Sequence, residues 1–136
     1  MAPESAPNAS LRLSVVGERL AVCRFEPQAE IPRWATSAPF FCVTLTPDEL
    51  SVLCPERNVP AGTTCEAGWR AFKLEGTFGF GLVGVLASVA APLAESGVGG
   101  VGILAISTYD TDYVLVKEKQ LGLAMAALRE QGHSVR

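Results

Sequence analysis

The chain has 136 residues, 49% of them hydrophobic and only 18% charged, and its eleven Lys and Arg against fourteen Asp and Glu leave a net charge of −3. That length suits one domain or two very small ones, and a chain so poor in charge has apolar surface to hide, which excludes extended disorder. The acidic balance, with no basic cluster and no interleaved aromatic stripe, excludes nucleic acid as a partner.

Residues 1–10 hold Glu4 and two prolines without a basic or apolar run, so they read as a disordered tail and not as a secretory signal. Leu11 to Val15 and Leu20 to Phe25 are predicted strands around Gly17-Glu18, a hairpin-compatible turn. Pro27, Pro32 and Pro39 then leave room for no more than a turn of helix around Glu30 to Ala35. Phe40 to Leu45 and Leu50 to Cys54 read as paired strands joined by Thr46-Pro47-Asp48-Glu49. Pro55 to Thr64 is loop or broken helix, and a fresh strand runs over Trp69 to Leu74.

Leu82, Val85, Leu86, Val89 and Leu93 recur at the spacing of one helix face, with Pro92 in the last turn and Gly97 placed to close it. Val101 to Ser107 and Asp112 to Val116 follow as strands about a tight connection. Leu121, Ala124, Met125 and Leu128 form the stripe of a second helix ending at Gly132, and His133 to Arg136 supply a short final strand. From Thr77 to Tyr109 the only charge is Glu95, yet Gly79, Gly81, Gly84, Ser88 and Pro92 break the run and no basic flanks accompany it, which disfavours a membrane span.

Strand, helix, strand, strand, helix, strand is the split βαβ, ferredoxin-like order. A shift of 63 residues lays Val43 to Cys54 over Ile106 to Lys117, strand, polar turn and strand in both copies, and puts Glu49 on Asp112. The expected organisation is therefore two similar units, 11–68 with degenerate helices and 69–136. The four cysteines, 19, 12 and 11 residues apart, form no CxxC pair and stand far from the lone His133. Zinc is disfavoured, and small buried thiols in a reduced, cytoplasmic setting are expected.

Gly79-Phe80-Gly81-Leu82-Val83-Gly84 matches G-x-G-x-x-G between a strand and a helix, but only one crossover is present and the next strand enters a hairpin, so a dinucleotide site is not supported. The motif still leaves backbone N–H groups uncovered at a helix N-terminus, where a small carboxylate can bind; close packing of helix on sheet is the plainer use of such glycines. Ser107 to Tyr113 is the densest polar cluster of the second half. Asp110 and Thr111 are accounted for as turn residues. Asp112 opens an otherwise apolar strand and suits an ammonium or guanidinium group, with Thr108 and Tyr109 adding hydroxyls. No nucleophile adjoins His133, which reads as an exposed helix-end residue, and Glu118, Lys119, Arg129 and Glu130 read as the solvated face of the last helix. No catalytic residue, metal or cofactor is expected.

Gly84 to Gly97 (G-V-L-A-S-V-A-A-P-L-A-E-S-G) followed by Ala105 to Glu118 (A-I-S-T-Y-D-T-D-Y-V-L-V-K-E) resembles the paired ACT domains of small bacterial proteins, a pattern seen in CASTOR-type cytosolic arginine sensors and related to the regulatory ACT modules of aspartate kinases. Phe40 to Pro55 (F-F-C-V-T-L-T-P-D-E-L-S-V-L-C-P) resembles their first unit. The resemblance implies an α+β fold of two ferredoxin-like βαββαβ units packed side by side, antiparallel sheets with helices on one face, often a homodimer, binding an amino acid between units. Carried over by position, the backbone of Gly79, Phe80, Gly81, Leu82, Val83 and Gly84 receives the α-carboxylate, while Thr108, Tyr109 and Asp112 face the effector. The glycine-rich loop at 97–102 is longer than the short turn the family uses there. The expected function is a non-catalytic amino-acid sensor, homodimeric and cytoplasmic, acting on a regulated protein partner. The alternative is a structural dimerisation or interaction module without a ligand.

Overall fold

The structure, a computed structural model, describes residues 10–76, 84–96 and 100–136. They form two compact units, one of Glu18–Trp69 and one of the described residues up to Gly17 together with Arg70–Arg136. Leu11 to Gly17, expected in the first unit, thus belongs with the C-terminal residues. Hydrogen bonding is the reason. β1 (Arg12–Val15) pairs antiparallel with β5 (Cys65–Leu74) through Leu13↔Leu74 and parallel with β8 (Ser134–Val135) through Leu13↔Val135. The Val15 N–H donates to Arg136 O and the Val16 N–H to Ala71 O, each at 2.8 Å. Both edges of β1 are occupied, so the hairpin expected with Leu20 to Phe25 does not form, and Gly17-Glu18 is the crossing between units. Of the expected tail, only Ser10 lies within the described residues; its hydroxyl donates to Gly132 O at 2.7 Å.

In the unit Glu18–Trp69, β2 (Leu20–Phe25), β3 (Cys42–Leu45), β4 (Leu50–Pro55) and the first half of β5 lie in the order β5-β2-β4-β3, all neighbours antiparallel. This is the ferredoxin-like order with the helices reduced to single 3-10 turns at Arg33–Ala35 and Glu56–Asn58. Pro32 and Pro55 start those turns, and Pro39 and Pro60 follow them, so neither propagates into a helix. The core is correspondingly small: Cys23, Ala35, Leu50, Val52 and Cys54, with Phe25 and Trp34 in tilted ring contact at 6.1 Å. β5 begins at Cys65, ahead of the predicted Trp69, because its polar start pairs through the backbone with β2 despite lacking an apolar alternation.

The other unit runs from the Arg70–Leu74 half of β5 through α1 (Val85–Glu95), β6 (Ile103–Ser107), β7 (Asp112–Lys117), a 3-10 turn at Glu118–Gln120, α2 (Leu121–Glu130) and β8. The strand order is β8-β1-β5-β7-β6, a ferredoxin-like α+β unit with β1 inserted beside its first strand. Period-two alternation turns Leu13, Phe72, Leu74, Val114, Val116 and Val135 to one face, where α1 lays Val85, Val89 and Leu93 and α2 lays Ala124 and Leu128. Each such valine, leucine or phenylalanine, fully buried, contributes about 1.5–3 kcal/mol. The position expected to close α1, Gly97, lies outside the described residues. Among those described, Ser96 caps α1, its hydroxyl donating to Leu93 O at 2.8 Å; Gly100 has φ +70°, an added Cβ there would meet the Ala94 carbonyl, and the next residue, Val101, donates its N–H to Leu93 O at 2.9 Å. No helix among the described residues is long and apolar enough to cross a membrane.

Pro92 has no N–H, so the carbonyl of Ser88, four residues earlier, loses its helical donor. His133 replaces it. The imidazole is only 4% exposed; Nδ1 accepts the Leu11 N–H at 3.1 Å, which leaves Nε2–H to donate to Ser88 O at 2.8 Å. The residue expected as an exposed helix end is therefore a buried bridge between the start of β1, the middle of α1 and the start of β8. Of the residues expected as a solvated face, Lys119, Arg129 and Glu130 are exposed and Glu118 is half-buried; Glu118 also pairs with Arg70 at 3.3 Å, and Arg129 donates to Val135 O at 2.9 Å. Replacing His133→Leu strands a buried donor and a buried acceptor and is expected to cost about 2–4 kcal/mol in urea unfolding. Adding Pro92→Ala returns a donor to Ser88 O, so its stabilising effect should be larger in the His133→Leu background than in the native one. Equal effects in the two backgrounds would remove the proposed linkage.

Candidate functional site

The site residues within the described part all belong to the helix-bearing unit. Gly84 immediately precedes α1 with φ +84°, a left-handed conformation that costs an ordinary L-residue roughly 1–2 kcal/mol. It is the helix N-cap, its carbonyl accepts the Ser88 N–H at 3.0 Å, no side chain caps the helix, and no acidic residue occupies the first turn. The first-turn amides of α1 thus have no side-chain cap, and the helix dipole adds partial positive charge there. Gly79, Phe80, Gly81, Leu82 and Val83, the rest of the expected anion-binding backbone, lie outside the described residues.

The other half is the β6–β7 hairpin, paired from Ile103↔Val116 to Ser107↔Asp112. Asp112 is half-buried, and its Oδ1 accepts the Ser107 hydroxyl at 2.6 Å. Ser107 was not among the expected contacts, since only the pairing register brings it opposite Asp112. The Thr108 hydroxyl serves the turn, donating to Thr111 O at 3.0 Å and accepting the Thr111 N–H at 3.1 Å. Tyr109 is 80% exposed at the hairpin tip. Thr111, expected as a mere turn residue, is buried and donates through Oγ1 to Leu74 O at 2.6 Å. That bond fixes the turn against the end of β5, from which the chain departs towards α1.

The β3–β4 hairpin is built the same way: the Thr46 N–H donates to Glu49 O at 3.0 Å, and the Glu49 N–H donates to Thr46 Oγ1 at 3.2 Å. Its last pair is Leu45↔Leu50, as Ser107↔Asp112 is in the other hairpin, so the repeat superposes at a shift of 62, one residue from the expected 63. A slip of one residue exchanges the two faces of a strand. Asp112 therefore corresponds to Leu50, which is 1% exposed, and not to the acidic Glu49. A carboxylate stands where the sister hairpin buries a leucine.

No group of His, Cys, Asp or Glu among the described residues is arranged to hold a metal ion. A shallow surface depression lined by Pro27, Gln28, Leu45, Thr46 and Pro47 lies in the other unit and has no titratable side chain in its lining.

A family model described as an ACT domain matches residues 64–130, and a second model, for an N-terminal domain, matches residues 18–62. The chain thus carries an ACT domain over residues 64–130. It is similar to the crystal structure of an Agobacterium tumefaciens protein, with 32% identity, 99% of this chain and 94% of that chain covered, and a TM-score of 0.86. It is 30% identical over 103 residues to the human cytosolic arginine sensor for mTORC1 subunit 1, a match covering 68% of this chain and 30% of that protein. The ACT chain thus spans about a third of the length of that curated relative. Aspartate kinase from Clostridium acetobutylicum shares the fold, with a TM-score of 0.62 at 13% identity over 86% of this chain and 34% of the kinase.

Thr111→Val removes the hydroxyl that satisfies Leu74 O. It is expected to cost about 1–3 kcal/mol in chemical unfolding. Amide exchange should accelerate across residues 106–113 more than in α2; uniform acceleration would mean that the bond does not fix the hairpin locally.

Proposed function

We propose that this ACT protein is a non-catalytic regulatory sensor that binds an amino acid, its α-carboxylate at the N-terminus of α1 about Gly84 and its cationic end at Asp112. The observation that carries this reading is the Ser107–Asp112 pair: an oriented carboxylate at the end of an apolar strand, where the equivalent position of the sister hairpin is a buried leucine. The uncapped helix start and its left-handed glycine support the other end of the site, since N–H groups at a helix N-terminus receive a carboxylate without a basic side chain. Kinship with a protein named as an arginine sensor supports an amino acid as the ligand class. The reading includes a homodimer as the working assembly, a regulated protein partner whose state follows occupancy, and a cytoplasmic setting, the last supported by four unpaired cysteines. One observation favours the ligand-free interaction module instead: the hydroxyls of Ser107 and Thr108 are already spent within the hairpin.

Thermal unfolding with a panel of the standard amino acids separates the two. The sensor reading expects a higher Tm with at least one of them, strongest among cationic ones, whereas a silent panel favours the module. Asp112→Asn keeps the shape and a hydrogen-bond acceptor but loses the charge. It should weaken the responding amino acid roughly ten- to a hundredfold, the value of about 1.5–3 kcal/mol for a charge-assisted bond, while leaving the ligand-free Tm near native. An unchanged affinity would remove Asp112 from the site.

A further inference from the structure

Three of the four cysteines meet on one face of the small unit. Cys23 on β2 stands directly across from Cys65 at the start of β5, and Cys54 on β4 is diagonal to it, because Cys23 pairs with Val52. The thiols of Cys54 and Cys65 are near enough to that of Cys23 to add to the rise of its pKa. Cys42 pairs with Leu53 and so belongs to the opposite face.

The register distinguishes these neighbours. The Arg24 N–H donates to Thr64 O at 3.0 Å, so Arg24 and Thr64 are a hydrogen-bonded pair and the adjacent Cys23↔Cys65 is a non-hydrogen-bonded one. Such pairs have Cα atoms about 4.5 Å apart with side chains close together, within the roughly 4.4–6.8 Å a disulfide spans. Diagonal neighbours such as Cys23 and Cys54 lie about 7–8 Å apart, and Cys54 and Cys65 are two strands apart, about 9–10 Å. Exposure differs as well: Cys23 and Cys54 are fully buried, while Cys65 is exposed. Burial pushes the Cys23 thiol up to about 12 and raises that of Cys54, so neither reacts first with an external reagent.

We propose that Cys23 and Cys65 are a redox-active pair that a small-molecule disulfide such as glutathione disulfide closes into a reversible cross-strand bond. The Cys65 thiol loses its proton to water and attacks one sulfur of the reagent, forming a mixed disulfide and expelling one glutathione thiolate. The Cys23 sulfur, giving up its own proton, then attacks Cys65 and expels the second. Two protein thiols are oxidised to one disulfide, and one glutathione disulfide is reduced to two glutathiones. The bond would close the chain from Arg24 to Thr64 into a ring and fasten β2 to β5.

The test uses the reduced full chain equilibrated with glutathione and glutathione disulfide, followed by acid quench, alkylation and mass analysis. The expected result is loss of two of the four alkylatable thiols, a peptide linked through Cys23 and Cys65, and full recovery with dithiothreitol. Cys54→Ser should leave the linkage intact. Cys65→Ser, at an exposed position, should abolish it without unfolding the chain. Cys23→Ser should trap a glutathione adduct on Cys65. Retention of all four thiols, a linkage through Cys42 or Cys54, a bond between two chains, or a lasting Cys65 adduct in the native protein would each overturn the proposal.

Discussion

A proline inside a helix leaves one carbonyl without its donor, and in this protein much of the helix-bearing unit is organised around how that carbonyl is satisfied. Ser88 O, deprived by Pro92, is buried beneath α1, where an unmet acceptor costs about 1–3 kcal/mol. The donor is His133, whose second nitrogen takes up the N–H of Leu11 as the chain enters β1. One neutral ring thus couples three elements distant in sequence. The N-terminal strand can then lie between β5 and β8, where it extends the apolar sheet face that supports both helices.

What the sequence disclosed follows the range of the interactions involved. Val85, Val89 and Leu93, and Ala124 and Leu128, are legible as helix stripes because the 3.6-residue period is local, and all five are buried. The β3–β4 and β6–β7 hairpins are legible for the same reason, through turn residues four positions long. The destination of β1 is not, because Leu13 meets Leu74 and Val135, and short strands give no local sign of partners so far along the chain. Neither is the burial of His133, which depends on the vacancy Pro92 creates. The repeat is visible in the sequence, but matching apolar with apolar tolerates a slip of one residue; only the turn bonds of Thr46 and Thr108 fix the register.

The candidate site divides along the same line. Asp112 stands out by composition, a carboxylate at the head of an apolar strand, and Gly84 by its place before a helix, which its positive φ explains. Ser107 and Thr111 carry no such mark. Their roles, orienting the Asp112 carboxylate and securing the turn to Leu74, arise from cross-strand pairing and from the close of β5. The chemistry of the site is written in residue types, whereas its orientation is written in register.

The two hairpins also show how a fold admits a polar site without losing its architecture. Each keeps a threonine that closes its own four-residue turn, so the turn geometry is held by a side chain outside the position that varies. At the strand ends one hairpin has Leu45 and Leu50, the other Ser107 and Asp112. Burying Leu50 is worth about 1.5–3 kcal/mol, while a hydrogen bond between partly solvated groups returns only about 0.5–1.5. The small unit, with 3-10 turns in place of helices and five buried residues in its core cluster, draws on that leucine for its stability. The unit that carries α1 and α2 has, among the described residues, thirteen buried in its core cluster and can give up the apolar pair. Divergence of the two copies is therefore asymmetric for a physical reason: the polar substitution sits on the copy whose helices make it tolerable.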